Sequence, residues 1–186
     1  MRTLLLPIIL FVAATQTGCV FISNPSYPKE WTSVDSHSEI CSVLPGNYMN
    51  NGEAGKQGKD APTLAALLFR EAKTATNVRI QKKGETSFLL TSESSGTIVN
   101  SRTIESKCGE TRLTVPPEEP EGFINRDGVV GYQYDSTEIQ VSKDGALVVH
   151  TISGGFGLVL LIPVGSSESR WFHYPRVEGV SLNEKP

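Results

Sequence analysis

From Asn77 to Tyr174 the chain is cut into short runs in which apolar and polar residues alternate, separated by Gly, Pro, Ser and Asp. A period of two places successive side chains on opposite faces, so this stretch can hardly fold except as strands. Val78 and Ile80 alternate with Arg79 and Gln81, Lys83-Gly84 makes a turn, and Phe88 to Leu90 continues in the next strand. Ser94-Ser95-Gly96 then separates Thr97 to Ile104, and Arg112 to Val115 follows. Ile139 and Val141 alternate again, Asp144-Gly145 matches a tight hairpin turn, and Leu147 to Ile152 runs back. Gly154-Gly155-Phe156-Gly157 leads into Leu158 to Val164, which reads as one apolar strand buried on both faces. A turn at Gly165 to Ser169 and a closing strand from Arg170 to Tyr174 complete the pattern. Strands joined in sequence by tight turns predict a mainly β fold, an antiparallel meander. A small barrel, partly or fully closed, is the first expectation and a two-sheet sandwich the second.

One short helix is expected near the N-terminal part of this body. Asp60 supplies a cap, Pro62 is tolerated in a first turn, and Leu64, Leu67, Leu68 and Ala72 recur at helical spacing, with Arg70 and Lys73 near the C-terminal end. Pro116 to Gly122, with three prolines and three glutamates, reads as a stiff acidic connector.

The N-terminal segment has the parts of an export signal: Arg2, an apolar stretch from Leu4 to Ala14, and Gln16-Thr17-Gly18-Cys19. It is too short to span a bilayer. Its ending resembles the lipobox of bacterial lipoproteins, in which a small residue precedes a Cys that is diacylated and becomes the new N-terminus. Gly18 and Cys19 match. Gln16 departs from the aliphatic residue usual at its position, which leaves general secretory cleavage as the alternative. The resemblance implies a membrane attached through lipid on Cys19. Val20, where an Asp would signal inner-membrane retention, implies the periplasmic face of the outer membrane in a cell with two membranes.

Cysteine arithmetic fits an oxidising compartment, because a lipid on Cys19 leaves Cys41 and Cys108 as a pair able to form a disulfide. The sequence therefore divides into a signal over 1–18, a lipidated flexible tether over 19–38 and a single β-rich domain over 39–186. Loss of 1–18 removes Arg2 and no acidic residue, taking 17 basic and 20 acidic residues to 16 and 20, a formal charge of −4. A mildly acidic chain lacks the basic stripe that nucleic acid requires.

The body opens with Gly46-Asn-Tyr48-Met-Asn50-Asn-Gly52, preceded by Trp31 and Cys41. In this respect the chain resembles a set of uncharacterised proteobacterial lipoproteins. The likeness covers the signal and about the first fifty mature residues and implies no assigned chemistry.

No nucleophile elbow, phosphate loop or zinc-protease motif is present. His150, near Thr151 and Ser153, comes nearest to a general base, and Glu118-Glu119 sit in the Pro-rich connector. Asp35, His37 and Glu39 alternate without matching a metal site. No catalysis, cofactor or metal is expected. The predicted role is interaction or scaffolding at the cell envelope, with a protein partner. The alternative is a binding module for a lipid or other apolar ligand, lined by Phe156, Trp171, Phe172 and Tyr174. Inhibition of a hydrolase is a remoter third reading.

Overall fold

The alternation is realised as eleven strands and two short helices in a computed structural model that describes residues 19–55, 60–69, 74–105, 110–117, 122–126, 129–159 and 162–177. The strands are β1 (Cys19–Ser23), β2 (Gly46–Met49), β3 (Glu53–Ala54), β4 (Asn77–Lys82), β5 (Ser87–Ser94), β6 (Thr97–Glu105), β7 (Leu113–Val115), β8 (Gly122–Arg126), β9 (Val129–Val141), β10 (Leu147–Val159) and β11 (Ile162–Tyr174). The helices are α1 (Ile40–Val43) and α2 (Leu64–Leu68). One sheet has the order β2-β4-β5-β6. The other runs β1-β11-β10-β9-β7, with β3 added to β11 and β8 to β9. The fold is mainly β and compatible with a sandwich; the barrel expected first is not formed, because the described strands make two sheets without closure.

The chain groups into two compact units. The larger comprises Pro25–Glu118, Ser136–Thr151 and Arg170–Pro186. It contains the core, where Val78, Ile80, Phe88, Leu90 and Ile104 of one sheet and Leu113, Ile139, Leu147, Val149, Phe172 and Tyr174 of the other are removed from water. The sequence locates the β5–β6 turn. Ser95 and Gly96 both adopt positive φ, 52° and 80°, the backbone of a two-residue hairpin turn between β5 and β6.

The helix starts later than expected. Thr63, not Asp60, caps α2 by accepting the Ala66 N–H at 3.2 Å, and Phe69 returns to extended backbone after five residues. Arg70 to Lys73 lie outside the described residues. The second helix, α1, was not anticipated; it is a single turn whose Leu44 N–H bonds to the Ile40 carbonyl.

The Gly46-to-Gly52 motif acquires a physical account. Tyr48 is fully buried, and its hydroxyl donates to the Leu44 carbonyl at 2.7 Å, which satisfies the one polar atom that burial would strand. Burial pushes its pKa up to about 12, against a smaller opposing effect of the Arg176 guanidinium. Asn50, almost fully buried, uses every polar group it has. Its amide donates to Ala75 O, its side-chain carbonyl accepts from Ala65 N, and its backbone bonds Thr76 O and Leu64 N. Gly52 lies so close to Tyr174 that a Cβ there would stand 2.4 Å from the ring.

Residues 25–38 carry more order than a mobile tether requires. Trp171 donates its indole N–H to Pro25 O, Lys143 N–H bonds Ser33 O, and Asp35 N–H bonds Val141 O. Asp35 also accepts from the His37 and Ser38 backbone, which gives that acidic residue a turn-forming role.

The smaller unit comprises Met1–Asn24, Glu119–Asp135 and Ile152–Ser169. Its described part is a sheet of β1, β8 and the outer portions of β9, β10 and β11. β1 pairs with β11 in parallel, Cys19 opposite Val164 through Ser23 opposite Glu168, so the meander is not wholly antiparallel. Leu158 to Val164 is not one buried strand. It ends β10 and begins β11, exposing Leu158 and Ile162, and the expected turn at Gly165 to Ser169 is strand instead. The division into two units lies across β9, β10 and β11, each of which contributes residues to both.

Asn50→Ala strands the Ala65 N–H and the Ala75 carbonyl in a buried site and is expected to destabilise the fold by about 2 to 3 kcal/mol. Urea unfolding monitored by circular dichroism measures this; a loss below about 0.5 kcal/mol contradicts the assigned role.

Candidate functional site

Two features stand out, one in each unit. In the larger unit, the pleat of β11 sends Phe172 and Tyr174 into the core and Trp171 and His173 to the opposite face. His150 of β10 packs there, its ring 3.9 Å from that of Trp171 at an interplanar angle of 9°. Tyr27 meets the edges of Trp171 and Trp31 at 5.3 and 6.0 Å, and Trp31 lies 5.3 Å from His173. The segment read as a tether therefore supplies two walls of an aromatic cluster.

His150 Nδ1 lies 3.7 Å from Glu138 Oε2, and Arg112 approaches the same carboxylate oxygen at 3.5 Å. Burial lowers the His150 pKa most strongly; Glu138 opposes this, while Arg112 adds to the lowering. His150 Nε2 and both ring nitrogens of His173 are buried without a hydrogen-bond partner among the described residues. A His–carboxylate pair catalyses acyl transfer by activating a hydroxyl or thiol, and none is bonded to His150 Nε2 here. Among the described residues no group of three metal-binding side chains is assembled.

In the smaller unit, two open grooves share Gly131, Phe156, Gly157, Val164 and Gly165 in their lining. One, of about 480 Å³, is lined by Val20, Phe123, Val130, Phe156, Leu158 and Pro163, together with Val164 and three glycines. No side chain that can hydrogen-bond lines it. The other, of about 490 Å³, is mixed, adding Tyr132, Gln133, Ser153, Ser166 and Glu168 around Phe21. Consecutive residues of β1 thus serve different grooves, as a strand's alternation dictates. Gly131 keeps β9 and β10 close, since a Cβ there would stand 2.4 Å from the Phe156 carbonyl oxygen.

The four aromatic residues proposed as one ligand wall are placed apart. Phe172 and Tyr174 are core, Trp171 projects from the opposite strand face into the His150 cluster, and Phe156 belongs to the smaller unit, where it stacks on Tyr132 at 5.8 Å. Cys41 is buried at α1, and Cys108, the segment 1–18 and Glu118-Glu119 lie outside the described residues. The aromatic cluster escaped sequence reasoning because Tyr27 and Trp31 sit in a polar stretch; their four-residue spacing was the available signal. No helix among the described residues is long and apolar enough to cross a membrane. No family model, curated protein or solved structure matches the chain.

The lowered His150 pKa has a defined sign. The unfolded chain takes up this proton near the ordinary value of 6.5, before the folded chain does, so stability falls as pH drops below that value. Chemical unfolding at about pH 7 and about pH 5 is expected to show a smaller acid loss in His150→Phe than in the native chain; equal losses contradict the assignment.

Proposed function

We propose that the chain is a bacterial envelope lipoprotein, cleaved before Cys19 and lipidated there, whose β body performs a non-catalytic interaction or scaffolding role at the periplasmic face of the outer membrane. Membership of the lipoprotein set that shares the Gly46-to-Gly52 motif is part of this reading. The observation that carries it is the lipobox-like Gly18-Cys19, with Cys19 the first residue of β1, so that a chain cleaved before Cys19 begins at the first residue of a strand. An acyl-bearing N-terminus held in a sheet places the body against the membrane, and two chains on one residue make such attachment stable where a single chain is marginal. His150, stacked on Trp171 and with its Nε2 unpartnered, suits packing better than proton transfer.

Pairing of Cys41 with Cys108 belongs to the same proposal, supported by the burial of Cys41 at α1. Closing so long a loop stabilises a fold by about 4 kcal/mol in the chain-entropy account. A second reading, an apolar-ligand module, is favoured by one observation, the position of Phe156 in an open apolar groove.

Intact-mass analysis of the chain recovered from bacterial membranes tests the lipidation. The expected result is an N-terminus at Cys19 carrying acyl mass, with Cys19→Ser released from the membrane pellet; an unacylated mature chain overturns it. Non-reducing peptide mapping is expected to return a Cys41–Cys108 cross-linked peptide, and free thiols at both positions contradict the pairing.

A further inference from the structure

Of the eleven large apolar side chains exposed among the described residues, eight belong to the smaller unit. Five of them, Val20, Phe123, Val130, Phe156 and Leu158, line one groove, and soluble surfaces seldom gather so many in one place without a partner to cover them. Phe123 is 75% exposed, Val20 69% and Phe156 65%, and all three line the groove that has no hydrogen-bonding side chain. We propose that this groove face is a membrane-docking surface that seats in the acyl region of a phospholipid leaflet beside the Cys19 anchor. The proposal rests on the reading of Cys19 as lipidated.

Four observations favour a leaflet over other apolar occupants. Cys19 is in backbone register with Val164, a residue of the groove, and directly precedes Val20, which lines it, so an anchor at position 19 is adjacent in the chain to the groove. No Asp, Glu, Lys, Arg or His occurs in 19–24 or 152–167, which removes from these two segments the repulsion and desolvation cost that charges bring to a lipid surface; Arg126 and Asp127 lie in sequence between Phe123 and Val130. The strand ends on this side are apolar, Leu158-Val159 closing β10 and Ile162-Pro163-Val164 opening β11. Finally, the groove is an open trough without a polar group to orient a soluble ligand, and enclosed ligand pockets normally have both walls and a few placed polar contacts. The acyl chains supply the attachment and the groove face fixes its orientation.

The test uses the mature chain bearing Cys19→Ser, in which only the sheet can hold lipid, mixed with vesicles of phosphatidylethanolamine and phosphatidylglycerol. It is expected to float with the vesicles, with little dependence on salt. Phe156→Asp and Leu158→Asp are each expected to weaken partitioning about tenfold or more, since each replaces a buried apolar contact with a charge. Both positions are exposed, and far-ultraviolet circular dichroism, which reads the strands of both units, verifies that the fold survives. Phe156→Trp is expected to add an emission component quenched by brominated lipid. The proposal is overturned if the Cys19→Ser chain stays in the dense fractions, if both aspartate variants float as well as it does, or if the added tryptophan is not quenched. A dimer in sedimentation that these aspartates dissociate, without flotation, assigns the face to a second copy instead. An unacylated native Cys19 with full flotation refutes the anchor and leaves docking intact; an acylated Cys19 with no flotation of the serine variant does the reverse.

Discussion

The alternation of β11 is the constraint on which the larger unit depends. Within Trp171 to Tyr174 every second residue belongs to the core, and those between belong to the aromatic and histidine cluster. A shift of register by one residue would drive His173 into the apolar interior and expose Tyr174, so the packing of one face fixes the other. Tyr174 adds a second lock. Its hydroxyl donates to Pro62 O at 2.7 Å, tying the closing strand to the turn ahead of α2, while Gly52 leaves room for its ring. Burial raises its pKa accordingly. Asn50 completes the same region by satisfying backbone groups on α2 and ahead of β4.

The smaller unit follows a different logic. It has no comparable buried core among the described residues, and its sheet is thinned by glycines at 131, 154, 155, 157 and 165, which withhold the side chains that would otherwise cover the apolar rings. Such a sheet satisfies its backbone internally yet presents apolar surface outward. In water that arrangement is unfavourable, at about 25 cal/mol for each Å² left uncovered, and a hydrocarbon environment removes the cost. Physical economy therefore links the lipid reading of Cys19 with the uncovered groove, although the two rest on different observations: a sequence ending in one case and solvent exposure in the other.

Much of the β architecture was legible because period-two patterning and turn chemistry are local. Asp144-Gly145 and Ser95-Gly96 mark their hairpins, and Val78 and Ile80 face the core as their spacing indicates. What was not legible depends on the environment outside the strand. Leu158 to Val164 has the composition of a doubly buried strand, and composition alone cannot distinguish burial against protein from exposure toward an apolar phase. Gly165 to Ser169 has turn residues but remains extended within β11. The aromatic cluster required three distant segments to meet, and Trp171 was grouped with Phe172 and Tyr174 because adjacency in sequence hides opposite facing in a strand. The helix was found but misplaced at its start, since both Asp60 and Thr63 can cap and only the Ala66 contact decides between them.

Hydrogen–deuterium exchange on the chain recovered from bacterial membranes and returned to phospholipid bilayers, compared with its Cys19→Ser form in detergent-free solution, tests the whole account most directly. Protection gained in the bilayer should be confined to 19–24, 122–135 and 152–169, with the larger unit's β4, β5 and β6 unchanged. Protection that instead appears over β4 to β6, or that is absent from 19–24 and 152–169, would contradict a body oriented by its apolar groove.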